Sequence, residues 1–312
     1  MSAGDWFIVM SPGAGSEPVS EKREAITQSL QAAGRRHHFV EIGDGGIVAA
    51  CETAARLAVE NAGLLVAAGG DGTVSCAAQA ALRHDCPLGV VPAGTFNLFA
   101  REHGLPLDPA EAVRALLAGR PEPVQAGLVN ARAFLVNASI GMYPQLIEDR
   151  EKAKEQIGRR RRWIALAAGL VSLFEWRRRL TLDAEVDGRL TRIRTPSLFV
   201  CNSRVQLRRV GIDDALVGDV GSGRMAALVA HRLGTWGKFK LLLRGLLGKL
   251  GDSPELDSFG VRSLDVAVPF ARRIKVATDG EVQWMTLPLR FSVSPRPLRL
   301  VLPPPELRKP LE

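Results

Sequence analysis

Apolar positions fall into two textures along this chain of 312 residues, and the change between them lies near residue 127. In the first part short apolar runs alternate with helical patterns. Trp6–Met10, His37–Ile42, Leu64–Ala68 and Leu88–Val91 read as strands, and the alanine-rich stretch Val74–Leu82 reads as one of the intervening helices. Continuous apolar runs suit strands covered on both faces, and strands that alternate with helices predict a parallel sheet. The expectation is an α/β N-terminal three-layer domain. Beyond Gly127 the runs are short and β-branched or alternating: Leu180–Val186, Thr195–Cys201, Arg224–Val229, Asp265–Val268, Ile274–Ala277 and Leu289–Val293. Regularly spaced short strands predict a C-terminal antiparallel β-sandwich domain. Helical patterns at about 144–178 and 235–250 interrupt it. The tail from Pro303 is proline-rich and charged, and is expected to be extended or mobile. The predicted organisation is therefore 1–127, 128–302 and a tail at 303–312.

Composition adds few constraints. A hydrophobic fraction of 46% provides core for two domains. Trp6–Met10 follows an acid and ends at Ser11-Pro12, which reads as a first strand and not as a signal peptide. The longest mostly apolar segment, Trp163–Trp176, has 14 residues, short of the roughly 20 that a bilayer span needs. Cys51, Cys76, Cys86 and Cys201 form no Cys-x-x-Cys pair, so a reducing cytosol without structural zinc is the default. The net charge of +8 is local: residues 158–179 hold seven arginines and one acid, and residues 231–250 hold five cations and no acid. Those two segments carry more than the whole net charge, which predicts a surface that meets something anionic.

The chemistry points to Leu64–Thr73, a buried apolar run that enters a glycine-rich turn with one carboxylate. Gly69, Gly70 and Gly72 are read as permitting positive φ and as removing Cβ atoms that would keep a polyphosphate from the helix N-terminus. Asp71 beside phosphates needs a cation, and Mg²⁺ is commonly held by one or two carboxylates with phosphate oxygens and water. Taken alone, such a turn is a weak signal. A second turn, Pro92-Ala93-Gly94-Thr95-Phe96-Asn97, has the same design, and Thr95 or Asn97 could cap its helix and meet a phosphate. A third strand end carries Ser11-Pro12-Gly13-Ala14-Gly15. Ligands of parallel sheets gather at carboxyl strand ends, so these loops converge if their strands are neighbours. Asp279-Gly280-Glu281 lies between two strand-like runs and also suits an ordinary hairpin turn.

Gly-Gly-Asp-Gly-Thr followed by Pro-x-Gly-Thr-x-Asn-x-Phe-Ala-Arg resembles the lipid kinases of the diacylglycerol kinase and sphingosine kinase family. Ser-Pro-x-Ala-Gly at 11–15, Asn137-Ala138-Ser139-Ile140-Gly141 and Asp279-Gly280-Glu281 extend the likeness. The resemblance implies a nucleotide-binding α/β domain and a β-sandwich, with ATP and a lipid hydroxyl meeting in a cleft. It implies nucleotide contacts at Ser11, Gly15, Gly69, Gly70, Asp71, Gly72, Thr73, Thr95 and Asn97, and a substrate cleft at Asn97, Asn137 and Gly141. Phosphoryl transfer to an alcohol needs a proton acceptor and neutralised γ-phosphate charge. Glu281 is then the candidate base with Asp279 beside it, and Asp71 the Mg²⁺ organiser, although the swapped assignment stays open. Ser11 stands where relatives usually have asparagine, Leu98 replaces a polar residue, and residues 218–223 are a degenerate form of a second metal motif that is not assigned here.

Arg159–Arg162, Trp163, Trp176 and Arg177–Arg179 bracket an apolar segment with cations and tryptophans, and Lys238 and Lys240 lie in a second segment of that character. Such segments suit the headgroup layer of an anionic membrane. A solvated helix face is the alternative. Leucine and not aromatic interleaving disfavours nucleic acid. The expected enzyme is thus an ATP- and Mg²⁺-dependent lipid kinase of phospholipid metabolism, cytoplasmic and peripheral to the inner membrane face. The alternatives are a kinase of a soluble alcohol such as NAD, or a silent nucleotide- or lipid-binding protein. A homodimer is left open.

Overall fold

A computed structural model describes residues 4–11, 19–145, 147–148, 180–231 and 256–310. Two compact units divide the chain, residues 1–126 with 294–312 and residues 127–293.

Unit 1 is built on a six-stranded sheet. In chain order its elements are β1 (Trp6–Met10), α1 (Val19–Ala32), β2 (His37–Val40), α2 (Gly46–Glu60), β3 (Leu64–Gly69), α3 (Asp71–His84), β4 (Leu88–Pro92), α4 (Leu98–Glu102), α5 (Pro109–Ala118) and β5 (Arg120–Val124). The strand order is β2-β1-β3-β4, then a late strand Leu298–Leu302, then β5. All neighbours are parallel except the last pair. Every residue of β3 and β4 is buried, as the continuous apolar runs require of strands covered on both faces. Trp6, Ile8, Leu64 and Val66 pack with Ile26 and Leu30 of α1 and Val113 and Leu116 of α5. On α2 the buried stripe is Ala50, Cys51, Ala54, Ala55 and Ala58, spaced three and four apart so that small side chains let the helix lie close to the sheet.

The order β2-β1-β3 places a topological switch between β1 and β3, where the chain leaves the sheet in opposite directions. β1, β3 and β4 are immediate neighbours, with Met10 opposite Ala68 and Gly69 opposite Pro92. Their carboxyl ends therefore emit the loops at Ser11, Gly69–Thr73 and Pro92–Asn97 side by side.

Unit 2 contains β6 (Gly127–Val129), β7 (Arg132–Phe134), β8 (Asn137–Gly141), β9 (Leu180–Val186), β10 (Arg189–Thr195), β11 (Ser197–Cys201), α6 (Arg204–Arg209), α7 (Asp214–Asp219), β12 (Met225–Ala230), β13 (Leu256–Val261), β14 (Ser263–Ala267), β15 (Arg273–Thr278), β16 (Glu281–Thr286) and β17 (Leu289–Val293). They form two antiparallel sheets, β10-β9-β14-β17-β6-β7 and β13-β12-β11-β8-β15-β16. A shared core of Phe134, Ile140, Leu182, Leu198, Val266, Val276 and Phe291 joins the inner faces into a sandwich.

The last segment corrects the predicted boundary at 302 and the picture of a loose tail. Leu298–Leu302, here β18, pairs with β4 and β5 in unit 1, so residues 294–302 return from the sandwich to the parallel sheet. Leu298, Leu300, Val301 and Leu302 are buried there. The tail is tied down beyond them. The Lys309 amide donates to Gly104 O at 2.8 Å, and Arg308 meets Glu122 at 2.7 Å. Proline content favours extended backbone but does not decide whether it is anchored. Of the helical pattern predicted at about 144–178, the described residues 144, 145, 147 and 148 are helical, and the rest of it and the pattern at 235–250 lie outside the described residues.

Leu300→Ala is expected to cost about 3 kcal/mol through the cavity it leaves. Arg299→Ala at the exposed neighbouring position should stay within about 0.5 kcal/mol. Urea midpoints of the two variants test whether this strand belongs to the core of unit 1.

Candidate active site

The turn after β3 begins at Gly69, whose carbonyl accepts from the Ala93 amide of the neighbouring turn at 2.9 Å. None of Gly69, Gly70, Gly72 or Gly94 has a positive φ, and Gly70 is extended at φ −83° and ψ −176°. Of the two expected reasons for these glycines, positive φ is corrected, and for Gly69, Gly70 and Gly94 the missing Cβ is the reason that holds. A Cβ on Gly94 would stand 2.5 Å from the Gly70 Cα and 2.9 Å from Asn97 Oδ1. A Cβ on Gly69 would strike the buried Thr73 side chain. The two turns thus touch backbone to backbone, and the absence of Cβ atoms is what lets them do so.

Asn97 occupies the N-cap position of α4 in the left-handed region at φ +50°. Its side chain does not cap. Oδ1 accepts from the Gly94 amide and Nδ2 donates to the Gly94 carbonyl, both at 2.9 Å, which closes the turn on itself. Thr95 and Phe96 consequently face outward from the turn. The helix start is instead met by Asp71, whose Oδ1 accepts from the Phe99 amide at 3.4 Å. Burial pushes the Asp71 carboxyl above its ordinary range, against the lowering effect of the amides of Phe99, Leu98 and Asn97. Ser11 continues β1, its amide donating to Ala68 O at 3.2 Å. Gly15 lies outside the described residues.

In unit 2, Asp279 and Gly280 form the two-residue turn between β15 and β16, with φ +48° and +92° and Thr278 paired to Glu281. Two positive φ values are those of a type I′ hairpin, which Asp-Gly favours. The Asp279 carboxylate accepts three successive amides, Leu135 at 2.8 Å, Val136 at 2.8 Å and Asn137 at 3.1 Å. Asn202 binds the carbonyls of the same segment: its Nδ2 donates to Leu135 O at 3.0 Å and its amide to Val136 O at 2.8 Å. Glu281 projects differently. Its Oε2 accepts from Arg132 Nη2 at 2.8 Å, and its side chain is 46% exposed, leaving room for a further partner.

Asn137 is buried and donates through Nδ2 to Gln206 Oε1 at 2.9 Å, while its Oδ1 and the Ser139 hydroxyl have no hydrogen-bond partner among the described residues. Gly141 has φ +94°, and a Cβ there would strike Pro196 O. In the region of the degenerate metal motif, Asp213 caps α7 through the Ala215 amide and Asp219 pairs with Arg224. Arg159, Arg160, Arg161, Arg162, Trp163, Trp176, Lys238 and Lys240 lie outside the described residues. Arg132, Asn202 and Gln206 were not singled out in the sequence, because their significance comes from contacts 149, 67 and 69 residues away in the chain.

Residues 5–129 match the model of the diacylglycerol kinase catalytic domain. The chain is 32% identical over 267 residues to a YegS-like lipid kinase of Pseudomonas aeruginosa, covering 79% of each protein. It therefore belongs to the diacylglycerol kinase family of lipid kinases. The diacylglycerol kinase of Bacillus subtilis is 30% identical over 190 residues, covering 59% of this chain and 60% of that one. A YegS-like lipid kinase of Serratia proteamaculans is 33% identical over 158 residues, so that the chain spans only 50% of that relative. The crystal structure of a diacylglycerol kinase from Bacillus anthracis superposes with a TM-score of 0.68 at 17% identity, covering 97% of this chain and 98% of that one. That likeness shows the shared fold.

Two outcomes follow. Asp279→Asn replaces an acceptor with a donor facing amides and is expected to cost about 1–3 kcal/mol, whereas Glu281→Gln removes only a part-exposed pair and should cost about 0–1 kcal/mol. Chemical denaturation separates them. For Asp71, the folded carboxyl titrates above 3.8, so the unfolded chain loses its proton first and stability falls as pH rises from there through the folded value. Asp71→Asn keeps an acceptor for the Phe99 amide and should abolish that fall. Urea midpoints at pH 4 and pH 7 for both proteins measure the difference.

Proposed function

We propose that this protein is an ATP- and Mg²⁺-dependent lipid kinase that transfers the γ-phosphoryl group to the hydroxyl of a diacylglycerol-like lipid at an anionic membrane surface. The observation that carries the reading is the backbone contact of Gly70 and Gly94, which presents two turns without Cβ atoms at adjacent carboxyl strand ends. The start of α3 beside them, whose N-cap Gly70 brings no side-chain cap, suits phosphate oxygens. Gly69–Thr73 and Gly94–Asn97 hold the nucleotide, with Ser11 and Thr95 at the margins, and Asn137 and Gly141 border the substrate.

Asp71 fits a cation. Its half-buried carboxylate is penalised when charged, and a divalent ion against it removes that penalty. Among the described residues no three of His, Cys, Asp and Glu cluster as a metal site. Phosphate oxygens and water would complete the coordination, as is usual for Mg²⁺. When bound, Mg²⁺ offsets the charge of the transferring phosphoryl group. Glu281 takes the proton of the lipid hydroxyl, oriented by Arg132, while Asp279 fixes the turn that presents it. Among the described residues no helix is long and apolar enough to cross a membrane.

The protein incubated with labelled ATP, Mg²⁺ and mixed lipid vesicles is expected to yield a phosphorylated lipid. Asp71→Ala should abolish the product, and Glu281→Gln should lower kcat by about 10²-fold or more with the fold intact. Undiminished transfer in Asp71→Ala defeats the assignment. Transfer to NAD or another soluble alcohol, independent of vesicles, replaces the substrate class.

A further inference from the structure

Phe270 breaks two rules at once. It is a fully exposed aromatic side chain, and its backbone lies at φ +65°, in the left-handed region that favours glycine. It occupies the third position of a turn that the Ala271 amide closes onto Val268 O at 3.1 Å, with Pro269 in the second position. Proline followed by a positive φ is the pattern of a type II turn, where glycine is the usual third residue. Neither burial nor local conformation rewards phenylalanine here. An outlier of this kind points to a role outside the fold.

The surroundings indicate the partner. Arg272 and Arg273 follow directly and are exposed. Arg273 opens β15 opposite Thr286, and Trp284, 55% exposed, lies two residues further along β16 opposite Lys275. The Arg273 guanidinium and the Lys275 ammonium stand 6.0 and 5.4 Å from the Trp284 ring, and Lys275 also pairs with Glu148 at 2.6 Å. An apolar tip, a part-exposed tryptophan on the hairpin that follows it and flanking arginines match the composition of a headgroup-layer contact, with aromatic rings at the interface and cations on lipid phosphates. A protein interface would need about 800 Å² per partner, far more than one projecting ring supplies.

We infer that the Val268–Ala271 turn, with Arg272, Arg273 and Trp284, is a docking surface for an anionic phospholipid bilayer, and that Phe270 inserts into it. The site is at the open end of the β15–β16 hairpin, and Asp279 and Glu281 are at the closed end, some five residues or about 17 Å along the strands. The inference rests on the lipid-kinase reading for its purpose, but partition onto vesicles is read without turnover.

The test is co-sedimentation of the full chain with vesicles of phosphatidylcholine alone or mixed with phosphatidylglycerol. Phe270→Gly is expected to weaken partition onto the mixed vesicles about tenfold and, because glycine accepts φ +65°, to raise the thermal midpoint. Arg272→Gln with Arg273→Gln should remove most of the difference between the two vesicle types. Unchanged partition of Phe270→Gly overturns the inference. So does a wild-type oligomer that dissociates in Phe270→Gly without vesicles, since the turn would then be a protein interface. A wild type that binds mixed vesicles through Phe270 but phosphorylates no lipid keeps the docking surface and defeats the proposed reaction instead.

Discussion

Contact between two glycine backbones, Gly70 and Gly94, is the constraint on which the geometry of unit 1 depends. Adjacent strands of a sheet are fixed about 4.8 Å apart, so loops that leave neighbouring carboxyl ends start within that distance. Gly69 and Pro92 are paired in the ladder, and the Ala93 amide adds a bond to Gly69 O. Side chains at the next positions would force the turns apart, as the short distance from a Gly94 Cβ to the Gly70 Cα demonstrates. With the side chains removed, the turns close on each other and the starts of α3 and α4 come together. Asn97 seals one turn internally, and Asp71 reaches from the other to the beginning of α4.

Asp71 and Asp279 use one device for two purposes. Each carboxylate accepts amides of a different chain segment, and so locks a loop whose own sequence would not hold it. Asp279 binds three consecutive amides and is fixed by the hairpin geometry of its turn. Asp71 accepts a longer bond in a part-buried setting, where desolvation outweighs its amides, and the outcome is a carboxyl pushed up and not down. The first arrangement is complete as it stands. The second leaves the charged form under-compensated, which is the electrostatic condition for binding a cation.

The fold was largely legible because both units write the periods of their strands into the sequence. Leu64–Gly69 and Leu88–Pro92 are apolar throughout, and Leu180–Val186 and Leu289–Val293 were read with their observed bounds. Strands without such a pattern were missed. β5 contains two prolines and is an edge, and β10, Arg-Leu-Thr-Arg-Ile-Arg-Thr, is mostly exposed. The return of Leu298–Leu302 to the parallel sheet was hidden because an apolar run does not state which domain it joins. At the site, the motif residues were visible, but their roles were not. Sequence cannot distinguish a glycine chosen for φ from one chosen for space, nor an asparagine that caps from one that closes its own turn. Arg132 gave no signal at all, since its meaning is its meeting with Glu281.

The contrast between Asp279 and Glu281 bears on how one turn could serve both structure and reaction. A group that takes a proton must have a free lone pair and must be able to shift its partners as charge moves. Asp279 has its oxygens committed to three amides of a segment that Asn202 also holds, so its protonation would break several bonds together. Glu281 has one strong partner and partial exposure, and the cation of Arg132 can keep its contact while a proton arrives on the other oxygen. In the proposed reaction, rigid fixation of the first acid is thus what would hold the second, two residues on, in place while its partners change.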